Sequence, residues 1–146
     1  MDRSKIIARL PYSKPFLFVD DIINIDENGV EGNYTFDGDA YFYQGHFKDN
    51  PVTPGVILTE VMAQIGLVCL GIFLLDSKLN SEVAIALTST DIEFLKSVYP
   101  NERVTVISQK NYFRFGKLKC HVKMTNEQGE EVCSGTIAGM IVSKNL

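Results

Sequence analysis

The segment from Val56 to Leu75 reads VILTEVMAQIGLVCLGIFLL and contains one charged residue, Glu60. Its apolar side chains cover almost the whole circumference of a helix, which is typical of a helix surrounded by other elements. We therefore predict a long buried helix over Val56–Leu75. The charge-free part, Val61–Leu75, is too short to cross a hydrocarbon core of roughly 30 Å at about 1.5 Å per residue. A core helix is favoured over a membrane span.

The rest of the chain reads mainly as β-strands joined by turns. A short helix is predicted over Arg3–Leu10, and Asn28-Gly29 predicts a hairpin turn between two strands. The predicted strands are Phe16–Ile25, Val30–Phe36, Val83–Ser89, Asp91–Tyr99, Arg103–Phe113, Lys117–Asn126 and Glu131–Val142. These elements predict an α+β fold in which a curved antiparallel sheet wraps the helix. A helix this apolar is hard to cover in a small monomer, so a dimer or larger assembly is expected.

Composition narrows the functional classes. The 146 residues fit one domain, 1–146, and 45% hydrophobic with 22% charged residues is ordinary for a globular protein. A net charge of −4 without any Lys/Arg-rich run argues against nucleic-acid binding. Three cysteines without CxxC spacing favour reduced thiols and a cytoplasmic setting over disulfides or zinc. The N-terminus lacks the apolar region of a signal peptide. We expect no cofactor and no metal.

Two titratable residues flank the start of the predicted helix. His46 lies in a loop bracketed by glycine and prolines, and Glu60 lies in the first turns of the helix. A base, an acid held in an apolar setting, and the N–H groups of Gly55 and Val56 to polarise a carbonyl are the parts needed to remove water from a 3-hydroxyacyl compound. A loop histidine among aromatic residues is also often structural, and a glutamate in a first helical turn is often a cap. The residue types alone leave both interpretations open.

Three blocks carry a family resemblance: Gly45-His-Phe47, Pro51-Val-Thr-Pro-Gly-Val56 and Glu60-Val-Met-Ala-Gln64. They resemble the signature of FabZ-type 3-hydroxyacyl-acyl-carrier-protein dehydratases. Leu10–Asp20 is similar to the N-terminal block of that family, and Phe94–Pro100 falls where the family has a further motif. The resemblance covers most of the chain.

The resemblance implies a hot-dog fold and a homodimer or a trimer of dimers, with active sites at the dimer interface. It implies that His46 is the base at C2 and that Glu60, from the opposite subunit, is the acid at the 3-hydroxyl. Further implied roles follow by position: Gly55 gives an amide to the thioester carbonyl, Gln64 orients the acid, and Phe47 and Val52 border the acyl channel. The related dehydratase-isomerases usually carry Asp at the acid position, so Glu60 favours a simple dehydratase.

Some positions depart from the family pattern. Lys48 replaces a usual proline, Tyr12 a usual histidine, Thr53 a common apolar residue, and Glu102-Arg103 a usual Gly-Asp region. The departures leave open whether the acyl chain is medium-length, hydroxymyristoyl, or a specialised polyene or pigment intermediate. An acyl carrier protein is acidic, so docking requires a local basic patch. The candidates are Lys14, Lys96, Arg103, Lys110, Arg114 and Lys117.

Two other functions are compatible with this fold. A hot-dog acyl thioesterase commonly uses a helix carboxylate without a loop histidine, so His46 argues against it. A non-catalytic hot-dog subunit that supports a partner dehydratase is expected to lack His46 or Glu60, and this chain has both.

Overall fold

The computed structural model describes residues 2–78 and 83–143. These residues form one antiparallel sheet of six strands, in the order β1-β2-β4-β5-β6-β3, that curves around a helix. A short helix, α1 (Arg3–Ala8), precedes the sheet. The strands are β1 (Asp21–Asp26), β2 (Gly29–Thr35), β3 (Val83–Phe94), β4 (Arg103–Arg114), β5 (Lys117–Thr125) and β6 (Glu131–Ser143). The predicted α+β architecture is confirmed.

The central helix, Gly55–Leu75, is the core element of the fold. It consists of α2 (Gly55–Ala63), a π-helical segment (Gln64–Cys69) and α3 (Leu70–Leu75). By length and composition it would be able to cross a membrane, with a mean hydropathy of 2.1 over 18 residues. However, 78% of that window is buried inside the fold, and every residue of the π-helical segment is buried. The predicted core helix is therefore confirmed.

The sheet contacts the helix backbone directly at the π-helical segment. The buried hydroxyl of Ser108, on β4, donates a 2.7 Å hydrogen bond to the carbonyl oxygen of Gly66. A side chain that bonds a helix carbonyl is one recognised cause of local irregularity in a helix. Gly66 permits this approach, because an added Cβ would lie 2.7 Å from Cγ1 of Val122.

Local sequence patterns are confirmed where they are strongest. The hairpin at Asn28-Gly29 joins β1 to β2, and the Asp26 side chain accepts hydrogen bonds from both turn N–H groups. In β5 buried and more exposed residues alternate, and the apolar residues are all buried at 0–2% exposure: Leu118, Cys120, Val122 and Met124. His121, on the opposite face, is exposed. The three cysteines are free and buried.

Two predicted strand boundaries were wrong. The strand predicted from Phe16 begins only at Asp21, because the side chain of Gln64 bonds the backbone of Phe16 and Phe18 in place of a neighbouring strand. The two strands predicted over Val83–Ser89 and Asp91–Tyr99 are one strand that ends at Phe94. A bulge at Thr88 interrupts the register there, and the chain continues without a turn.

The edge strand β3 leaves apolar surface uncovered. It pairs only with β6, so its other edge has no strand partner among the described residues. Leu87 and Phe94 on this strand are 46% and 47% exposed, and Val56 at the start of the central helix is 76% exposed. A long exposed edge beside apolar side chains is a surface on which a second chain can pair.

Candidate active site

The His46 imidazole is oriented by a backbone carbonyl. The loop after the short 3-10 turn Tyr41–Gln44 brings His46 Nδ1 to 2.8 Å from the carbonyl oxygen of Val52. A carbonyl oxygen only accepts, so Nδ1 carries the hydrogen and, in the neutral ring, Nε2 keeps a free lone pair. The half-buried ring is therefore in the tautomer that a general base requires.

Phe47 packs on this imidazole. The two rings stack with centroids 4.4 Å apart and planes 17° from parallel. Phe47 has a φ of 56°, in the left-handed region that a bulky residue rarely adopts, and its side chain is 64% exposed. This backbone conformation places an apolar ring at the open side of His46.

Glu60 lies on α2 and is bound to Gln64. Nε2 of Gln64 donates a 2.9 Å hydrogen bond to Oε2 of Glu60. Burial raises the pKa of the Glu60 carboxyl above its ordinary value, and the bond from Gln64 opposes this by favouring the ionised form. The balance favours a carboxyl that holds its proton to higher pH than a solvated glutamate, as a general acid requires.

The N-terminus of the central helix is open. Pro54 precedes α2, and the N–H groups of Gly55 and Val56 make no hydrogen bond to any of the described residues. The ring of Phe94 closes over Gly55, since an added Cβ would lie 3.2 Å from its Cζ atom. Gly55 thus lets an aromatic ring from β3 come close to two N–H groups that are free to bind a carbonyl oxygen.

An open groove connects this helix end with Glu60. It has a volume of about 630 Å³ and is lined by residues of α2 and β3: Gly55, Val56, Thr59, Glu60, Leu87, Thr90, Asp91, Ile92 and Phe94. His46 does not line it. Within residues 2–78 and 83–143, no hydrogen bond or ion pair joins His46 to Glu60. Within this chain, His46 and Glu60 therefore do not bind each other and do not line the same groove.

The expected site residues are thus placed as follows. Glu60 and Gln64 are in contact, Gly55 and Val56 line the groove with Glu60, and His46 contacts Phe47 and Val52. Val52 is buried at 6% exposure and offers its carbonyl to His46. In the described part of the chain no cluster of three or more His, Cys, Asp or Glu side chains is arranged to hold a metal.

Comparison with known proteins identifies the family. The model of the FabA-like domain matches residues 10–123, which include all of these site residues. The chain belongs to the FabA-like family.

Curated relatives in the same family match over nearly the full chain. A protein of Sinorhizobium fredii named 3-hydroxyacyl-(acyl-carrier-protein) dehydratase FabZ is 35% identical over 98% of this chain and 91% of its own length. A protein of the same name from Caldicellulosiruptor saccharolyticus is 33% identical over 93% of this chain and 95% of its own.

Solved structures agree on the fold. The dehydratase heterocomplex ApeI:P from Xenorhabdus doucetiae superposes with a TM-score of 0.80 at 14% identity, covering 99% of this chain and 94% of that one. A mutant thioesterase from Pseudomonas aeruginosa gives a TM-score of 0.68 at 14% identity over 98% and 95% of the two chains. At these identities the likeness establishes the hot-dog fold, as the sequence resemblance implied.

Sequence reasoning missed three contributors to this FabA-like site. The backbone of Phe16 and Phe18 holds Gln64, the ring of Phe94 covers Gly55, and Tyr12 lies near enough to Glu60 to be affected by its charge. Burial raises the pKa of Tyr12 to about 12, and the negative charge of Glu60 adds to this effect. The available signal was the N-terminal block, Leu10–Asp20, whose similarity to the family indicated no contact with Glu60 or Gln64.

Proposed function

We propose that this protein dehydrates a 3-hydroxyacyl thioester, carried on an acyl carrier protein, to the trans-2-enoyl thioester. The observation that carries the proposal is His46, whose Nδ1 is bound to the Val52 carbonyl so that Nε2 is free to act as a base. The names of the relatives in the FabA-like family support the same reaction. The pathway is fatty-acid biosynthesis or a related acyl chain such as a polyene or pigment precursor.

The proposed reaction begins at C2. Nε2 of His46 removes a proton from C2, and the charge that develops on the thioester oxygen is bound by the N–H groups of Gly55 and Val56. The Val52 carbonyl accepts from Nδ1 throughout, so it stabilises the imidazolium as it forms. The negative charge on the thioester oxygen and the positive charge on the imidazole are thus each stabilised by a group of the protein.

Loss of water completes the proposed reaction. Glu60 donates its proton to the 3-hydroxyl, the C3–O bond breaks, the C2–C3 double bond forms, and water leaves. Burial raises the pKa of Glu60, so the carboxyl holds this proton to higher pH than a solvated glutamate does. The bond from Gln64 fixes which carboxyl oxygen is occupied, so the other oxygen faces the substrate.

We further propose that each site is assembled across a homodimer. His46 does not line the groove beside Glu60, and this groove is bounded by the exposed edge strand β3. A second copy seated on this edge would bring its His46 and Phe47 to the groove and cover Leu87. In that arrangement Phe47 and Val52 border the acyl channel, as the family resemblance implies.

The carrier protein is the proposed macromolecular partner. Of the basic candidates, Lys96 forms a 2.9 Å ion pair with Glu130. Arg114 lies over the ring of Tyr112 at 4.4 Å, and Lys117 is paired opposite Arg114 across the β4–β5 hairpin. No ion pair joins either of these two residues to an acidic side chain of the described chain. We favour this hairpin for docking an acidic carrier because its charge is not neutralised locally.

The test is formation of the enoyl product from a series of 3-hydroxyacyl carrier-protein substrates, followed by absorbance of the enoyl thioester. His46→Ala and Glu60→Gln are each expected to lose about three orders of magnitude or more in kcat. Matched controls are His121→Ala and Glu131→Gln, which change exposed residues on β5 and β6. Near-wild-type dehydration in either site variant would overturn the assignment. Release of free thiol without enoyl product would favour the thioesterase alternative.

A further inference from the structure

A buried hydroxyl pair closes the base of the loop that carries His46. The phenol oxygen of Tyr43 and Oγ1 of Thr53 are 2.6 Å apart, and each residue is only 5% exposed. Tyr43 is three positions before His46, and Thr53 directly follows Val52, the residue whose carbonyl binds the imidazole. The bond therefore joins the two ends of the loop on either side of His46.

The peptide unit between Val52 and Thr53 links this pair to the imidazole. Its carbonyl oxygen accepts from His46 Nδ1 at 2.8 Å, and its N–H donates to the carbonyl oxygen of Val98 at 2.7 Å. A peptide unit is planar, so these two bonds share one rigid orientation. Any movement of Thr53 rotates or shifts the carbonyl that orients His46.

Little else holds the loop between these ends. Residues 44–50 are exposed except for the half-buried His46. Within the loop the backbone bonds run from Gly45 N and His46 N to the Phe42 carbonyl, the second at 3.1 Å, and from Asn50 N to the Phe47 carbonyl, at 2.9 Å. The loop therefore depends on its anchored ends for a fixed shape, because it buries few apolar side chains.

We propose that Tyr43 and Thr53 are positioning residues that hold the Val52 carbonyl against His46 and so select the ring tautomer with a free Nε2. For catalysis this inference rests on the function proposed above. Burial raises the pKa of Tyr43 to about 12, so the phenol stays neutral and the hydroxyl pair persists through the working range of pH. The family commonly has an apolar residue at position 53. In this chain the Thr53 hydroxyl thus helps to hold the Val52 carbonyl against His46.

The first measurement is steady-state kinetics of Tyr43→Phe and Thr53→Val. Each is expected to lower kcat by about tenfold or more, because small displacements of a catalytic group are costly, while KM changes by less than about threefold. Thr53→Ser keeps the hydroxyl and is expected to retain wild-type kcat within about threefold. Tyr41→Phe, which alters an exposed phenol in the same turn, is the matched control.

The second measurement does not depend on activity. Nitrogen-15 NMR of the histidine side chains reports which ring nitrogen of His46 carries the hydrogen. The wild-type protein and Thr53→Ser are expected to show the Nδ1–H form, and Tyr43→Phe and Thr53→Val a mixture of the two forms. If the Val52 carbonyl is no longer held against His46, the proportion of the two tautomers changes, whatever reaction the protein catalyses.

The double variant Tyr43→Phe/Thr53→Val covers the case in which a single change unfolds the protein. Replacing both hydroxyls leaves no unpaired buried group, so the double variant is expected to fold even where one single variant does not. It should lower kcat no more than the worse single variant, because the two residues act as a unit. Unchanged kcat and an unchanged His46 tautomer in folded variants would overturn the proposal.

Discussion

Nε2 of Gln64 lies 2.9 Å from Oε2 of Glu60, one helical turn away. The same nitrogen donates to the Phe16 carbonyl at 2.9 Å, and Oε1 accepts from the Phe18 N–H at 2.8 Å. Gln64 is completely buried, and no side-chain N or O atom in the described, buried part of the chain is left without a partner. An amide fixed by three hydrogen bonds thus ties the candidate acid to the N-terminal segment.

Replacing Gln64 with leucine should destabilise the protein and change its pH dependence. The Phe16 carbonyl and the Phe18 N–H would be left unpaired, at a cost of about 2–4 kcal/mol in the free energy of unfolding. Removing the donor to Glu60 raises its pKa further, so the alkaline limb of the pH–rate profile is expected to move to higher pH.

Urea unfolding and a pH–rate profile measure these two effects of Gln64→Leu. Gln109→Leu, on an exposed position of β4, is the matched control and is expected to stay within about 0.5 kcal/mol of wild type. Equal effects of Gln64→Leu and Gln109→Leu on the free energy of unfolding and on the pH–rate profile would contradict the role assigned to the Gln64 amide.

The stability of the Glu60→Gln variant, relative to the wild-type protein, should increase as the pH rises. The folded-state pKa of Glu60 is raised by burial, so the wild-type protein binds this proton more tightly when folded and loses stability as pH increases through that pKa. Glutamine stays neutral and can still accept from Gln64. Thermal unfolding should show the Tm difference, variant minus wild type, growing as the pH rises above the ordinary pKa of glutamate and levelling off above the folded-state pKa. A Tm difference that shrinks as the pH rises would contradict a raised pKa of Glu60.

Mixed assemblies of His46→Ala and Glu60→Gln should regain activity if the site spans two subunits. In a mixed dimer, one site combines the intact His46 of one chain with the intact Glu60 of the other, while the second site lacks both. Random mixing of equal amounts makes half of the dimers mixed, so about a quarter of wild-type activity is expected. Co-expression with two affinity tags measures this recovery. Its absence in purified mixed dimers would place both residues of a site in one chain.

Leu87→Asp should disrupt the proposed assembly. The side chain is 46% exposed on the unpaired edge of β3, and burying a charge there against a second copy is costly. We expect a shift towards monomer by light scattering, together with loss of activity. Ile107→Asp is the matched control, because Ile107 is 41% exposed on β4, a strand that pairs with β2 and β5 and lies away from this edge. Dissociation by the control alone would place the interface elsewhere.

Gly66→Ala tests the close packing between the central helix and the sheet. The added methyl group would meet the stiff side chain of Val122 at 2.7 Å and Cβ of Ser108 at 3.2 Å. We expect a net loss of about 1–3 kcal/mol, since overpacking outweighs the helix propensity of alanine. Urea unfolding measures the loss. Gly45→Ala, where no atom lies within 4 Å of the added group, is the control, and a similar loss there would exclude packing as the cause.

Elements with local signals were predictable from the amino-acid sequence. The predominantly apolar run over Val56–Leu75, the Asn28-Gly29 turn and the alternation in Lys117–Asn126 each specify an element through the geometry of neighbouring residues. The motifs around His46 and Glu60 indicated the family for the same reason, since they are defined by residue types at fixed spacings along the chain.

The way these parts are held together depends on contacts between distant residues. The Phe16–Asp20 segment has strand-like composition, but Gln64 binds the Phe16 carbonyl and the Phe18 N–H, and the contact between Phe18 and Gln64 spans 46 positions. The Val52 carbonyl at His46, and the hydroxyl pair of Tyr43 and Thr53 beside it, depend on the path of a loop that buries few side chains. Long-range hydrogen bonds have no period along the chain, so no local pattern could predict them.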